Sequence, residues 1–128
     1  HNATAGLYSM LYQDDVATTS MNVGHTEFGN ALWYAHALLQ THAANQVLLV
    51  CADEPLPDVY AQPDLQQAYA MACVLCRPDE HHLENLHISA AEQRAQTQPL
   101  QAQAVRFAVF WQSKATTLHM DAWQLCKR

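Results

Sequence analysis

The chain reads as an α/β fold, and three stretches say so. Residues 16–20 (VATTS) are short and β-branched. Residues 26–42 carry an apolar stripe at helical spacing, and residues 46–52 (QVLLVCA) run apolar without a break. Strand, helix and strand in that order make one βαβ unit. A tight elbow, Met21-Asn22-Val23-Gly24, lies between the first strand and the helix. Open α/β sheets place their chemistry at the carboxyl ends of strands, which is where this elbow falls.

The elements follow in order. Residues 1–13 suit a short helix with Leu7, Met10 and Leu11 at helical spacing and Asn2 or Thr4 as its cap. Gly6 weakens it by roughly 1 kcal/mol relative to Ala, and Asp14-Asp15 ends it. The β-branched stretch 16–20 suits a buried strand. In the long helix, Phe28, Ala31, Leu32, Ala35, Leu38 and Leu39 recur at three and four, which draws one apolar face. Glu27 in its first turn complements the helix dipole, and Ala43-Ala44-Asn45 closes it. The unbroken run 46–52 predicts a parallel strand covered on both faces.

A proline-stiffened acidic loop, Asp53-Glu54-Pro55-Leu56-Pro57-Asp58, comes next. Residues 67–77 and 83–91 read as strands, and the short turn at 78–82 predicts that they pair as an antiparallel hairpin. Residues 94–99 are polar linker. Leu100, Ala104, Phe107, Ala108 and Trp111 form a second helical stripe, and residues 116–126 suit an edge strand.

Composition narrows the function. The 128 residues make one domain's length or part of a larger one, and half of them are hydrophobic. The formal net charge is −6, with only six Lys and Arg. Phosphate neutralisation needs a basic stripe, so nucleic acid is not an expected partner. No run of 18 apolar residues predicts a membrane span, and no secretory signal is recognisable. Of four cysteines, Cys73 and Cys76 have C-x₂-C spacing, but they lie in an apolar run of strand type. Residues three apart on a strand face opposite ways, so the pair cannot grip one zinc ion. The eight histidines form no metal set. Neither metal nor cofactor is expected. Buried free thiols fit a cytoplasmic chain.

The stretches HNATAG, GNALWYAHALL and QVLLVCADEPLPDVYA, with an ending that carries Trp123 and Arg128, resemble the β-ketoacyl-synthase-like family of the thiolase fold. The likeness is to the small chain-length-factor subunits of aryl-polyene-type fatty acid and polyketide systems, and it spans nearly the whole chain. It implies a three-layer α-β-α half with a mixed sheet. Residues 1–128 would be the C-terminal portion of one ketoacyl-synthase N-terminal-type domain. The family's β-α-β segment upstream of the elbow has no counterpart here. A lone strand 16–20 would leave backbone groups unpaired, so the expectation is an N-terminal fragment of the same polypeptide, supplied as a separate piece. The first residue, His1, fits either a trimmed chain or a cut just before it.

The resemblance also marks a departure. Family ketosynthases bear an acyl-accepting cysteine at the elbow. Aligning Gly29 with the glycine of the family helix places Met21 or a neighbour there, and no cysteine lies nearer than Cys51. The expected role is therefore a condensation-incompetent partner of a catalytic ketosynthase, with acyl carrier protein reaching it through that partner. Ser20, Met21, Asn22 and His25 line the elbow and tunnel. Val16, Ala17, Thr18, Thr19 and Trp33 face the partner.

Each assignment has a plainer competitor. Met21 either bounds a tunnel or joins the core. His25 is a general base only if a nucleophile exists; otherwise it caps the helix. Ser20 with Asn22 and His25 would be the polar trio of an acyl-thioester hydrolase or decarboxylase, although the surrounding residues do not form the G-x-S-x-G elbow. His81-His82 reads as a solvated turn, and Glu54 and Asp58 as either a contact or plain surface. Trp33 and Tyr34 fall off the apolar stripe, which frees them for another chain, since aromatic anchors are enriched in interfaces.

Overall fold

The structure is a computed structural model; it describes residues 3–21, 28–54, 59, 68–78, 85–91, 102–120 and 122–128. Its order is α1 (Ala3–Tyr12), α2 (Phe28–Gln40), β1 (Gln46–Asp53), β2 (Tyr69–Cys76), β3 (Leu86–Ala90), α3 (Gln103–Gln112), β4 (Thr117–Met120) and β5 (Trp123–Lys127). The class is mixed α/β with two open sheets. β1 and β2 pair antiparallel, and a second sheet has the order β3-β5-β4, also antiparallel throughout.

One core serves both sheets. Phe28 and Leu32 of α2 meet Ala104, Phe107 and Phe110 of α3, with Cys51, Met120 and Leu125 from the strands. The inner faces of β1 and β2 supply Leu49, Tyr69, Met71, Cys73 and Leu75. The inner face of the second sheet supplies Leu86, Ile88 and Leu118. Exposure alternates along β1 and β2, as period-two geometry requires for a sheet with one face packed. Met120 and Leu125 are fully buried beneath α3.

Neither long helix has a basic residue in its own last turn, and strand ends supply one to each. Arg77, just past β2, donates from Nη1 to the carbonyls of Leu39 (3.2 Å) and Ala44 (3.2 Å), and from Nη2 to Asn45 Oδ1 (3.0 Å). Lys127 Nζ on β5 donates to the carbonyls of Trp111 (2.9 Å) and Ser113 (2.7 Å) and lies 4.7 Å from the Phe110 ring centroid. These contacts satisfy orphan carbonyls and set positive charge at the negative end of each dipole. They also fix the ends of α2 and α3 to the sheets.

Several expectations change. Residues 16–20 do not form a strand. They are exposed and join no sheet among the described residues; Val16 N–H instead bonds to Asp14 Oδ1 at 3.0 Å. A strand needs a neighbour for its backbone groups, and none of the described residues supplies one. The run 46–52 is not parallel to its partner: β1 pairs antiparallel with β2, and its outer face is uncovered. The strands at 69–76 and 86–90 exist, but in different sheets, so they do not form a hairpin together. Residues 116–126 hold the whole β4–β5 hairpin, and β5 is the central strand of its sheet rather than an edge.

The helices fit better. α2 buries Phe28, Gly29, Ala31, Leu32, Ala35 and Leu39, nearly the expected stripe. α3 buries Gln103, Ala104, Phe107 and Phe110. Its buried face is thus rotated from the expected one, leaving Trp111 exposed. α1 ends with Gln13 in the left-handed region and the Asp14 N–H bonded to the Ser9 carbonyl, a Schellman-type stop. Its Leu7, Met10 and Leu11 are exposed, not packed. Thr4 falls inside α1 and so does not precede it as a cap; the cap assigned to Asn2, the Glu27 contact, Leu100, the linker and the 78–82 turn's histidines lie outside the described residues.

Candidate functional site

The site assigned from sequence is the elbow leading into α2. Ser20 and Met21 are described and exposed, Met21 by 46%. No hydrogen bond joins Ser20 to another described residue. Asn22 and His25, the other members of the polar trio of a hydrolase, lie outside the described residues.

Beyond the elbow, the first turn of α2 is held from two sides. Gly29 N–H donates to Oε1 of Gln103 at 3.3 Å, and Gln103 is only 3% exposed. From the other side comes Trp123 of β5. A Cβ at Gly29 would overlap its indole ring, so only glycine lets helix and strand approach this closely. The Trp123 Nε1–H donates to Asn30 Oδ1 at 3.0 Å, and its ring stacks on Trp33 with centroids 5.2 Å apart. Phe28 packs on Phe107 at 5.2 Å beneath. Sequence reasoning did not find Gln103 or the Gly29–Trp123 contact, because both join residues more than seventy positions apart in the chain.

The thiol chemistry of the region is now fixed. Cys51 lies on the inner face of β1, inside the core cluster. Desolvation first, and the neighbouring Cys73 second, push its pKa from the ordinary 9.0 to about 11. Burial pushes Cys73 up as well. Burial holds both thiols in the protonated form, and Cys51 is shut away from an incoming carbonyl, the opposite of an activated nucleophile. Cys76 falls on the other face of β2 by strand alternation, and all four thiols are free. Among the described residues no group of three His, Cys, Asp or Glu side chains is placed to hold a metal ion, and no helix is long and apolar enough to cross a membrane.

The comparison with family models decides the class. The β-ketoacyl synthase N-terminal domain model matches residues 1–126. The chain belongs to the β-ketoacyl synthase family. No curated protein matches it. At the elbow assigned from sequence, Ser20 and Met21 are exposed, and Cys51, the next thiol along the chain, is shut in the core. Of the residues expected to face a partner, Val16, Ala17, Thr18 and Thr19 are exposed, and Trp33 is exposed on one side while stacked on Trp123.

Proposed function

We propose that the chain is a non-catalytic chain-length factor, a thiolase-type three-layer half that pairs with a catalytic β-ketoacyl-acyl carrier protein synthase. It would act in the cytoplasm, in polyene fatty acid or polyketide synthesis of the aryl-polyene type. One observation carries this reading: the elbow of a ketosynthase-family domain holds Ser20 and Met21, while the nearest thiol is buried and protonated. Carbon–carbon condensation on a thioester needs an accessible, ionisable acceptor. No thiol stands at the elbow of this chain, so the chemistry falls to a partner.

In the pairing, residues 16–20 lie antiparallel to their counterpart across a two-fold-like axis, and Met21 bounds the tunnel for the growing acyl chain. The partner presents the substrate on acyl carrier protein. Each added CH₂ gains about 0.8 kcal/mol while the tunnel has space and clashes once it does not, so the wall residue sets the length. Two features support incompleteness of the isolated chain. Among the described residues, 16–20 join no sheet and β1 has one strand neighbour. A two-stranded sheet is marginal by itself. An upstream fragment of the same polypeptide would supply further strands at the β1 edge.

Co-expression with a catalytic ketosynthase tests the proposal. The expected result is a stable complex whose condensing activity survives every substitution at Ser20. A chain that elongates an acyl thioester alone, or that never associates with a ketosynthase, overturns it.

A further inference from the structure

The β3-β5-β4 sheet turns a polar face away from the core. Residues opposite each other across an antiparallel ladder share a face. His87, Cys126 and Thr117 therefore stand abreast on β3, β5 and β4, and Ser89, Gln124 and His119 form the next row. The other face carries Leu86, Ile88, Leu118, Met120 and Leu125 into the core. An antiparallel sheet that packs one face and wets the other shows this alternation. His87, Thr117 and His119 are exposed, and Cys126 between them is half-buried.

Cys126 is the centre of that face. Asn85 and Arg128 exchange both of their N–H···O bonds. Alternation along the ladder makes His87 and Cys126 the next such pair, with Cα atoms about 5.5 Å apart. The imidazole thus stands across from the thiol. Gln124 donates from Nε2 to Cys126 Sγ at 3.6 Å, and Thr117 Oγ1 lies 3.9 Å from the same sulfur. The other thiols have different settings. Cys51 and Cys73 face the core, and Cys76 stands opposite Gln46.

We propose that Cys126 is a thiol–disulfide exchange site, with His87 as proton acceptor and a small disulfide of the glutathione class as co-reactant. His87 takes the thiol proton, and the Cys126 sulfur attacks one sulfur of the disulfide. The bond to Cys126 forms as the old sulfur–sulfur bond breaks. The departing thiolate takes up the proton and leaves as a free thiol, so the step needs no further oxidant. Acyl transfer does not fit the place. A tetrahedral oxyanion needs N–H donors aimed at it, and β5, as the central strand, gives its backbone N–H groups to ladders on both sides. Disulfide exchange builds no oxyanion. The site uses none of the residues assigned to the elbow or to a ketosynthase partner, so it stands or falls separately from that pairing.

Incubation of the 128-residue chain with oxidised glutathione, followed by intact mass and peptide mapping over time, tests the assignment. The expected product is a mixed disulfide on Cys126, formed before any on Cys51, Cys73 or Cys76. Cys126→Ser is expected to remove it. An ordinary thiol is already a few per cent thiolate near neutrality, which caps the gain from a proton acceptor at roughly a few tens of fold. His87→Gln is therefore expected to slow the reaction about tenfold. Both positions lie on the outer face of the sheet, and an unchanged circular dichroism spectrum shows that the fold persists. The urea-unfolded parent gives a reference that needs no variant, since its Cys126 is expected to react more slowly than in the folded chain. First modification at another cysteine, a rate unchanged in His87→Gln, or a folded-chain rate no higher than the unfolded one each overturns the proposal.

Discussion

The indole of Trp123 fills the space that a side chain at Gly29 would need, so the first turn of α2 and strand β5 meet almost backbone to ring. The contact is locked by the Trp123–Asn30 hydrogen bond and the Trp33 stack. Gly29→Ala ordinarily gains helix propensity of up to about 1 kcal/mol, but here the overlap dominates. The expected net effect is a loss of about 1–3 kcal/mol from overpacking, read by urea denaturation. A variant as stable as the parent would show that Trp123 moves aside freely.

The two borrowed helix caps give a second expectation. Arg77→Met and Lys127→Met keep most of the apolar stem but remove the charge from carbonyls at the ends of α2 and α3. Each is expected to cost about 1 kcal/mol, with an upper end near 2 for a partly buried cap. Because the two cations share no hydrogen-bond partner, the double variant should lose nearly the sum of the two, measured by thermal or urea unfolding.

Alkaline pH gives a third. The Cys51 thiol titrates at about 11 in the folded chain against an ordinary 9.0. Between those values the unfolded state loses its proton while the folded state keeps it, so stability is full below about pH 9, falls as pH rises and levels off above about 11. Cys73, raised by burial, adds a loss of the same sign. Tyr69, raised by desolvation first and then by Cys51 and Asp53, does so as well. Cys51→Ala is expected to be less stable near neutrality yet to show a shallower decline through that window. A decline as steep as the parent's would assign the loss to other groups.

Helices were legible in the sequence because their evidence is local. The i, i+3, i+4 pattern from Phe28 to Leu39 is enough to place a buried face, and the structure buries nearly that set. Strand existence was legible too, since the apolar runs at 46–53 and 69–76 form β1 and β2. Pairing was not. An unbroken apolar run fits a strand covered on both faces, but β1 is equally apolar with its outer side bare, so the inference to a parallel sheet failed. The β-branched residues 16–20 have strand propensity with no described neighbour to realise it. At the site, the absence of an elbow cysteine could be read directly. The Gln103 and Trp123 contacts that hold α2 could not, because no local pattern encodes a buried glutamine or a tryptophan that demands glycine across the fold.

The tunnel assignment makes a fourth prediction. With a catalytic partner present, Met21→Trp is expected to shorten the acyl products and Met21→Ala to lengthen or broaden them, read by mass spectrometry of the released chains. Met21 is half-exposed at the elbow, so neither change should disturb the fold. Unchanged lengths in both variants would leave the chain a stabilising companion and not a ruler.

The most direct test of the central claim is the intact mass of this chain after incubation with a fatty acyl thioester. A domain with no activated nucleophile at its elbow keeps its mass, with or without the catalytic partner, while the partner gains the acyl group. A stable acyl adduct on this chain, mapped to Ser20 or to Cys51, would contradict the account.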